Sequence, residues 1–237
     1  MPGYQIKQEC IAIVGADDLV IRSLLDRNQF SDPLGEADRL GISSATWPLF
    51  GLLWPSGNHL AARMATHPLK AGERILEIGC GLGLASLVGH RRGIDITASD
   101  CHPLAASFLR ENLLLNGLPP MKYLHGHWGA VAGIAAPLDA AGMARPMVRD
   151  RYDLIIGSDL LYERDANGDL AGFIACHAEA ASEVWIVDPD RGNRPAFNRE
   201  MALLGFLMRE ERLDCPAADG VLAYKGRLLT YSRSAAA

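Results

Sequence analysis

The fold of this chain is decided by residues 73–83, which read ERILEIGCGLG. A short apolar strand runs directly into the glycines Gly79, Gly81 and Gly83, and a helical pattern begins at Leu84. Glycine permits a sharp turn and lets a ligand approach the backbone, while the N-terminus of a helix offers free N–H groups. The stretch therefore predicts a strand, loop and helix that hold a nucleotide-like ligand.

The spacing of these glycines excludes two common phosphate-binding loops. The dinucleotide fingerprint G-x-G-x-x-G needs its third glycine at position 84, where the chain has Leu84. The G-x-x-x-x-G-K-[ST] loop needs a lysine after its last glycine, and this chain has none there. The acidic Glu77 lies two residues before the first glycine. We therefore expect a ligand without a pyrophosphate.

Asp100 is the second predicted anchor of this site. It follows the second predicted strand, Ile94 to Ala98, and lies 17 residues after Gly83. In an open parallel sheet this order puts its carboxylate beside the glycine loop. There it can accept hydrogen bonds from both hydroxyls of a ribose. Glycine clusters and strand-end aspartates are also common in ordinary turns, so the prediction depends on their combination and order.

Strand and helix patterns alternate over five units of the chain. One predicted helix, about Leu170 to Ala181, precedes a strand at Val184 to Val187. The last two strand-like runs, Phe206 to Leu213 and Val221 to Tyr231, have no helix between them. This order predicts an α/β fold: a Rossmann-like doubly wound seven-stranded sheet, mostly parallel, with a C-terminal antiparallel hairpin.

The segment before this alternation predicts an addition to the sheet domain. We expect residues 1–46 to form an N-terminal cap and residues 47–237 to form one ligand-binding domain. Ser56 is predicted to cap a helix that stops before Pro68. Residues 130–146 are rich in small side chains and read as a variable connection, and the charged run Arg209–Arg212 is typical of a solvated face.

The composition bounds the function. The chain of 237 residues has 28 acidic and 23 basic residues, a net charge of −5, and so lacks the basic surplus of proteins that bind nucleic acid. Residues 1–10, MPGYQIKQEC, do not show the charged and apolar pattern of a secretory leader, so none is expected, and no stretch approaches the roughly 20 apolar residues that span a bilayer. The five cysteines are dispersed without a C-x-x-C pair, which argues against a disulfide framework and a zinc knuckle. We expect a cytoplasmic chain that binds neither membrane nor nucleic acid.

Further segments sharpen this reading. They are LWPSGNHLA (53–61), YDLIIGSDLLYE (152–163) and VDPDRGNRPAF (187–197). Together with LEIGCGLG (76–83) and Asp100, they resemble the class I S-adenosylmethionine-dependent methyltransferases. The resemblance is closest to the seven-β-strand protein-lysine methyltransferase group, which includes the electron-transfer-flavoprotein lysine methyltransferases. One departure is His127-Trp128-Gly129, where that family usually has Asp-Trp-Gly after the third strand.

This resemblance implies a cofactor, S-adenosylmethionine, with S-adenosylhomocysteine as product. It implies that Glu77 and the backbone of Gly79 to Gly83 hold the methionine end, Asp100 the ribose, and Trp128 with His127 the adenine. The remaining cofactor-binding candidates by resemblance are Trp54, Cys80 and Ser158.

Asp159 and Tyr162 are the catalytic candidates. A lysine must be neutral to attack the methyl group, and a carboxylate beside aromatic rings can orient it. The alternatives are that Asp159 caps a helix and that Tyr162 is a packed aromatic residue. Trp47 and Trp54 either line an acceptor channel or belong to the core.

Several functions stay open at this point. We expect methyl transfer to a protein lysine, with a small-molecule acceptor as the alternative and a catalytically silent cofactor-binding module as a third. The pair His125 and His127 has no further ligand at a recognisable spacing, so no metal is expected. Asp188, Asp190 and Arg191 either contact the substrate or brace the loop as an ion pair.

Overall fold

The computed structural model describes residues 3–129, 142–217 and 223–235. The strands in these ranges are β1 (Ile6–Ile11), β2 (Leu19–Leu24), β3 (Arg74–Ile78), β4 (Asp95–Asp100), β5 (Tyr123–His125), β6 (Tyr152–Ser158), β7 (Ala178–Asp188), β8 (Leu207–Arg212) and β9 (Arg227–Arg233). The α-helices are α1 (Glu36–Arg39), α2 (Pro55–Thr66), α3 (Leu84–Arg91), α4 (Ala105–Leu115), α5 (Asp169–His177) and α6 (Arg194–Leu203), and Trp47–Gly51 forms a 3₁₀ helix. Among these described helices, none has the length and apolar character needed to cross a bilayer.

Seven strands form the main sheet, in the order β5-β4-β3-β6-β7-β9-β8. The strands from β5 to β7 in this order are parallel, and β9 is antiparallel to both of its neighbours. The chain winds outward from β3 to β5 and then returns to β6 on the other side of β3, so the direction of winding reverses between β3 and β6. The predicted doubly wound sheet with a C-terminal antiparallel hairpin is confirmed.

Helices cover both faces of this sheet, which explains why its central strands are apolar on both sides. On one face, Ile75 and Ile156 pack with α2, α3 and α4 through side chains such as Leu60. On the other face, Leu76 packs with α5 and α6 through side chains such as Ile174. Each fully buried aliphatic side chain contributes about 1.5–3 kcal/mol, so the two cores hold the strand ends in fixed positions.

The strands β1 and β2 form a separate antiparallel hairpin that packs against α4. The side-chain amide oxygens of Asn112 and Asn116 accept the N–H groups of Arg22 (2.8 Å) and Val20 (2.9 Å). These two asparagines of a helix therefore satisfy the backbone of β2 where a third strand would otherwise be needed. Because the buried Ile21 of β2 joins the same apolar core as α4, the division of the chain at residue 46 stays a prediction.

Two predicted details are wrong. The helix expected to reach Ala181 ends at His177, and β7 begins at Ala178. The sequence there favours a helix locally, but pairing with β6 and β9 overrides that preference. Ser56 is not a helix cap: the helix starts at Pro55, and the buried Ser56 hydroxyl is bonded to the Tyr224 hydroxyl at 2.9 Å.

Two further predictions fall partly outside the described residues. The variable connection of residues 130–146 does so up to residue 141, and the last predicted strand does so at residues 221 and 222.

Candidate active site

The carboxyl ends of β3, β4 and β6 open into one cleft of about 1020 Å³. This is the point where the winding of the sheet reverses, which is where doubly wound folds bind their ligands. Pockets for small molecules commonly measure about 300–1,000 Å³, so the cleft lies at the upper end of this range.

The glycine loop forms the floor of the cleft, and its glycines are required by the packing of the chain itself. Gly79 and Gly81 have positive φ angles of 56° and 53°. A Cβ atom on Gly81 would lie 2.8 Å from the Phe50 carbonyl oxygen, which cannot move aside as a flexible side chain can. Gly83, which directly precedes α3, also has a positive φ. It packs against Leu109 of α4, behind the residues that line the cleft.

Glu77 is the acidic residue beneath this loop, and it is only 4% exposed. Its Oε2 atom accepts the backbone N–H of Ser86 at 2.8 Å and also the Ser86 hydroxyl. Burial raises the pKa of Glu77 to about 7, although the bonds from Ser86 favour the ionised form, and the charge of Asp100 adds to the rise. Glu77 is therefore poised to ionise fully when a cation enters the cleft.

Asp100 lies at the end of β4, where its carboxylate closes the loop. It accepts the N–H of Gly81 at Oδ2 and the N–H of His102 at Oδ1, each at 2.8 Å. Burial raises the pKa of Asp100, while these backbone bonds oppose the rise. The backbone and thiol of Cys101 also hydrogen-bond this carboxylate, so a ligand would share or displace these contacts.

A flat aromatic wall stands beside Asp100. The rings of Phe50 and His102 are stacked at 3.7 Å and both line the cleft. Burial lowers the pKa of His102 to about 3, so its ring is neutral at physiological pH. Neither residue was predicted as part of the site, since the contact joins the 3₁₀ helix to the loop after β4 and leaves no pattern in the sequence.

The N-terminal segment forms another wall, which the sequence analysis also missed. Residues 40–43 line the cleft, and the ring of His127 lies 3.3 Å from the Leu40 carbonyl oxygen. A half-buried ion pair between Glu36 and Arg145, 2.6 Å apart, attaches this segment to the rest of the chain at a second point. His127 thus holds the wall in place as well as lining the cleft.

The tryptophans divide between core and cleft. Trp47 is fully buried among other aromatic rings and belongs to the core. Trp54 lines the cleft and is oriented by its indole N–H, which donates to the Leu49 carbonyl oxygen at 2.9 Å. Trp128 lines the cleft beside Gly79, where a Cβ atom would lie 3.4 Å from its ring.

Asp159 begins the loop after β6 in a backbone conformation that is rare for this residue, with φ of 58°. Its Oδ1 atom forms an ion pair with the Arg191 guanidinium at 2.8 Å. Arg191 is itself held by the buried Asp188, which accepts its backbone N–H at 2.7 Å and lies 3.5 Å from its guanidinium. Arg191 therefore braces Asp159, as the ion-pair alternative supposed, and Asp159 caps no described helix.

The second oxygen of Asp159 has a different environment. Oδ2 is buried, and the Ser56 side chain also hydrogen-bonds the carboxylate and favours its ionised form. Burial raises the pKa of Asp159, and Arg191 opposes the rise. The carboxylate therefore lies between Arg191 and Ser56 in the lining of the cleft.

The remaining candidates also lie at the cleft. Tyr162 is 46% exposed, so it is not a packed core aromatic residue. Ser158 ends β6 beside Asp159. Cys80 is buried in the glycine loop, and burial raises the pKa of its thiol well above the usual range, so it stays protonated.

Among the described residues, no group of three or more His, Cys, Asp and Glu side chains is arranged to hold a metal ion. His125 is fully buried behind the cleft, and burial lowers the pKa of its ring to about 4.

No protein-family model matches the chain. The electron transfer flavoprotein beta subunit lysine methyltransferase of Danio rerio is 26% identical over 147 residues, which are 61% of this chain and 51% of that protein. The calmodulin-lysine N-methyltransferase of Arabidopsis thaliana is 26% identical over 149 residues, which are 59% of this chain and 45% of that protein. The chain thus spans about half the length of the curated relatives it matches.

Solved structures show the same architecture. The magnesium protoporphyrin IX methyltransferase of Synechocystis PCC 6803, solved with bound SAM, matches with a TM-score of 0.52 and 16% identity. The match covers 76% of this chain and 78% of that one. At this identity the likeness concerns the fold.

Proposed function

We propose that this chain, which has the class I S-adenosylmethionine-dependent methyltransferase fold, transfers a methyl group from S-adenosylmethionine to a lysine side chain of a protein. One observation carries the proposal: a single cleft is lined by the carboxylates of Glu77 and Asp100 and by a third acid, Asp159, which Arg191 holds in place. The two relatives named above, both lysine methyltransferases by name, support the same acceptor.

The cleft residues around Glu77 and Asp100 fit S-adenosylmethionine. Asp100 offers a carboxylate at the end of β4 that can accept hydrogen bonds from the ribose hydroxyls. Glu77 offers a carboxylate for the ammonium of the methionine end, and the neutral Phe50 and His102 rings give a flat apolar surface for the nucleoside. When bound, the sulfonium supplies an activated methyl group, so the chain itself needs no covalent nucleophile.

The cleft residues around Asp159 suit a cationic amine. Arg191 holds Oδ1 of Asp159, and the carboxylate would accept an N–H from the incoming amine in place of its contact with Ser56. This bond would orient the nitrogen toward the methyl group, and the half-exposed Tyr162 would cover it from water. The ammonium must release one proton to water before its lone pair attacks. Burial favours the neutral amine, whereas the Asp159 carboxylate favours the ammonium and serves to orient it.

A small-molecule acceptor is the alternative, since the cleft also admits a free amine. A catalytically silent binding module is the third possibility. The net charge of −5 disfavours nucleic acid as substrate. All five cysteines are free, which suits a reducing compartment, and we place the reaction in the cytoplasm.

Calorimetry with S-adenosylhomocysteine tests the cofactor. The unaltered chain should bind it, and Asp100→Ala should weaken binding by about 10- to 100-fold, because the ribose loses two hydrogen bonds to a charged group. Asp17→Asn, which changes an exposed acid away from the cleft, is the matched control. A chain that does not bind, or that binds equally well with Asp100→Ala, overturns the cofactor assignment.

Labelling with tritiated S-adenosylmethionine and cell extract tests the acceptor. We expect a labelled protein band whose label resides on methyl-lysine after hydrolysis. Asp159→Asn should bind S-adenosylhomocysteine normally but label about 100-fold more slowly or worse, because the charged acceptor is gone. Label found only in small molecules supports the alternative acceptor, and no label with normal cofactor binding supports the silent module.

A further inference from the structure

Strand β8 forms one edge of the main sheet, and all six of its residues are exposed. Leu207 alone is 77% exposed. An edge strand presents unpaired N–H and C=O groups to any other strand that fits, and proteins usually protect such edges. The charged run Arg209–Arg212, predicted as a solvated face, is arranged here along that edge.

The hydrogen bonds to β9 determine which backbone groups of β8 point outward. In an antiparallel pair, every second residue bonds to the neighbouring strand. Cys215 and Tyr224 exchange both bonds at 2.9 Å, and the N–H of Leu213 donates to the Gly226 carbonyl at 2.9 Å. The same register continues through β8, so its odd-numbered residues bond β9 and its even-numbered residues point their backbone groups outward.

The side chains of β8 alternate between the two faces of the sheet. Glu210 lies on the face of α6, where it accepts bonds from Arg194 (3.0 Å) and Arg227 (2.7 Å). The opposite face therefore carries the odd-numbered side chains. In order, these are Leu207, Arg209, Glu211 and Leu213.

We propose that β8 pairs antiparallel with β8 of a second copy of this chain, across a twofold axis at Glu210, and so forms a homodimer with one continuous sheet. In this register the outward backbone groups of Met208 bond those of Arg212 in the second copy. On the odd-numbered face, Leu207 lies opposite Leu213 and Arg209 opposite Glu211, and each pair occurs twice. The series Leu-Arg-Glu-Leu is its own complement.

Neighbouring registers are excluded by the same pattern. The outward groups are on even-numbered residues, so the register can change only in steps of two. One step in either direction places Arg209 opposite Arg209 or Glu211 opposite Glu211, and like charges directly opposite are destabilising. At the axis, the two Glu210 side chains meet, but each is already compensated by two arginines. The edge thus fits one partner in one register.

The proposed interface is small, and it is independent of the proposed activity. Stable interfaces bury about 1,200–2,000 Å², and the edge of one six-residue strand contributes less, so the dimer should form reversibly at micromolar concentrations. The sheet order places β8 three strands from β6, so the cleft stays open in the dimer.

Sedimentation velocity tests the dimer over about 1–200 µM, a range that brackets the affinity of small interfaces. The unaltered chain should show a reversible monomer–dimer equilibrium. Arg209→Glu or Glu211→Arg alone should weaken association by about tenfold or more, because each creates two like-charge pairs. The double variant R209E/E211R restores opposite charges and should return the affinity to near the original value.

The double variant also distinguishes a loss of charge pairing across the interface from a loss of folding, because a second substitution would not restore a misfolded chain. Arg110→Glu, an exposed charge reversal on α4, is the matched control and should leave association unchanged. Thermal melts of all variants should agree within a few degrees, because the altered side chains are exposed. A chain that stays monomeric over the whole range overturns the proposal, as does a double variant that associates as weakly as the single ones.

Discussion

Replacing Glu77 with glutamine is expected to stabilise the ligand-free chain at neutral pH while weakening cofactor binding. Glu77 is buried, and its pKa rises from 4.5 to about 7 on folding. The folded chain therefore holds this proton more tightly than the unfolded chain. Between these two values the folding stability contributed by Glu77 falls as the pH rises, and above pH 7 the full cost is present.

The magnitude follows from this difference in pKa. Raising a carboxyl pKa from 4.5 to about 7 costs the ionised form about 3 kcal/mol. Glutamine carries no charge at any pH and keeps a carbonyl oxygen for the bonds from Ser86. We expect Glu77→Gln to gain about 1–3 kcal/mol at pH 8 and close to nothing at pH 4.5. In a chain of this size that gain raises Tm by roughly 3–10 °C.

Urea unfolding at pH 8 and pH 4.5 measures the effect, with S-adenosylhomocysteine calorimetry on the same samples. Glu111→Gln, an exposed residue on α4, is the matched control and should change neither stability nor binding. If Glu77→Gln is no more stable than the unaltered chain at pH 8, the assignment of a desolvated carboxylate at this position is wrong.

Three further outcomes follow from the same site. S-adenosylhomocysteine should bind about tenfold more weakly at pH 6 than at pH 8 in calorimetry, because about nine-tenths of Glu77 is protonated one pH unit below a pKa near 7. Gly81→Ala should cost about 2 kcal/mol or more in thermal melts, through its positive φ and its clash with a backbone carbonyl, whereas Gly172→Ala in open space on α5 should gain about 0.5–1 kcal/mol. Arg191→Met should cost about 3 kcal/mol in urea unfolding, since it leaves buried carboxylates unpaired, and should move the acid limb of the pH–rate profile upward because the pKa of Asp159 rises further. An acid limb at the same pH in both chains would show that Asp159 does not govern the rate.

The central part of the site could be predicted from sequence because it depends on strand ends. Gly79 and Asp159 each follow a strand of one parallel sheet, and Asp100 ends another. Such a sheet brings the carboxyl ends of its strands together at one edge. Local spacing therefore carried spatial information at these positions.

The surrounding walls depend on contacts between distant segments. The stacked rings of Phe50 and His102 come from the 3₁₀ helix and from the loop after β4, and no local pattern marks either as a partner. The prediction that a helix reaches Ala181 was wrong for a related reason, because strand pairing outweighed local helix propensity. Leu40 belongs to the wall only because the folded N-terminal segment places it beside His127, and no local pattern predicts this contact.

That N-terminal wall couples ligand affinity to the folding of a distant hairpin. A ligand that touches residues 40–43 stabilises a segment anchored through β1 and β2 on α4, so its binding free energy should appear as slower amide exchange in β2. Conversely, substitutions in the hairpin that touch no ligand should change affinity by altering the fraction of molecules with the wall in place. Selection acting on cofactor affinity would then constrain the hairpin as well as the cleft.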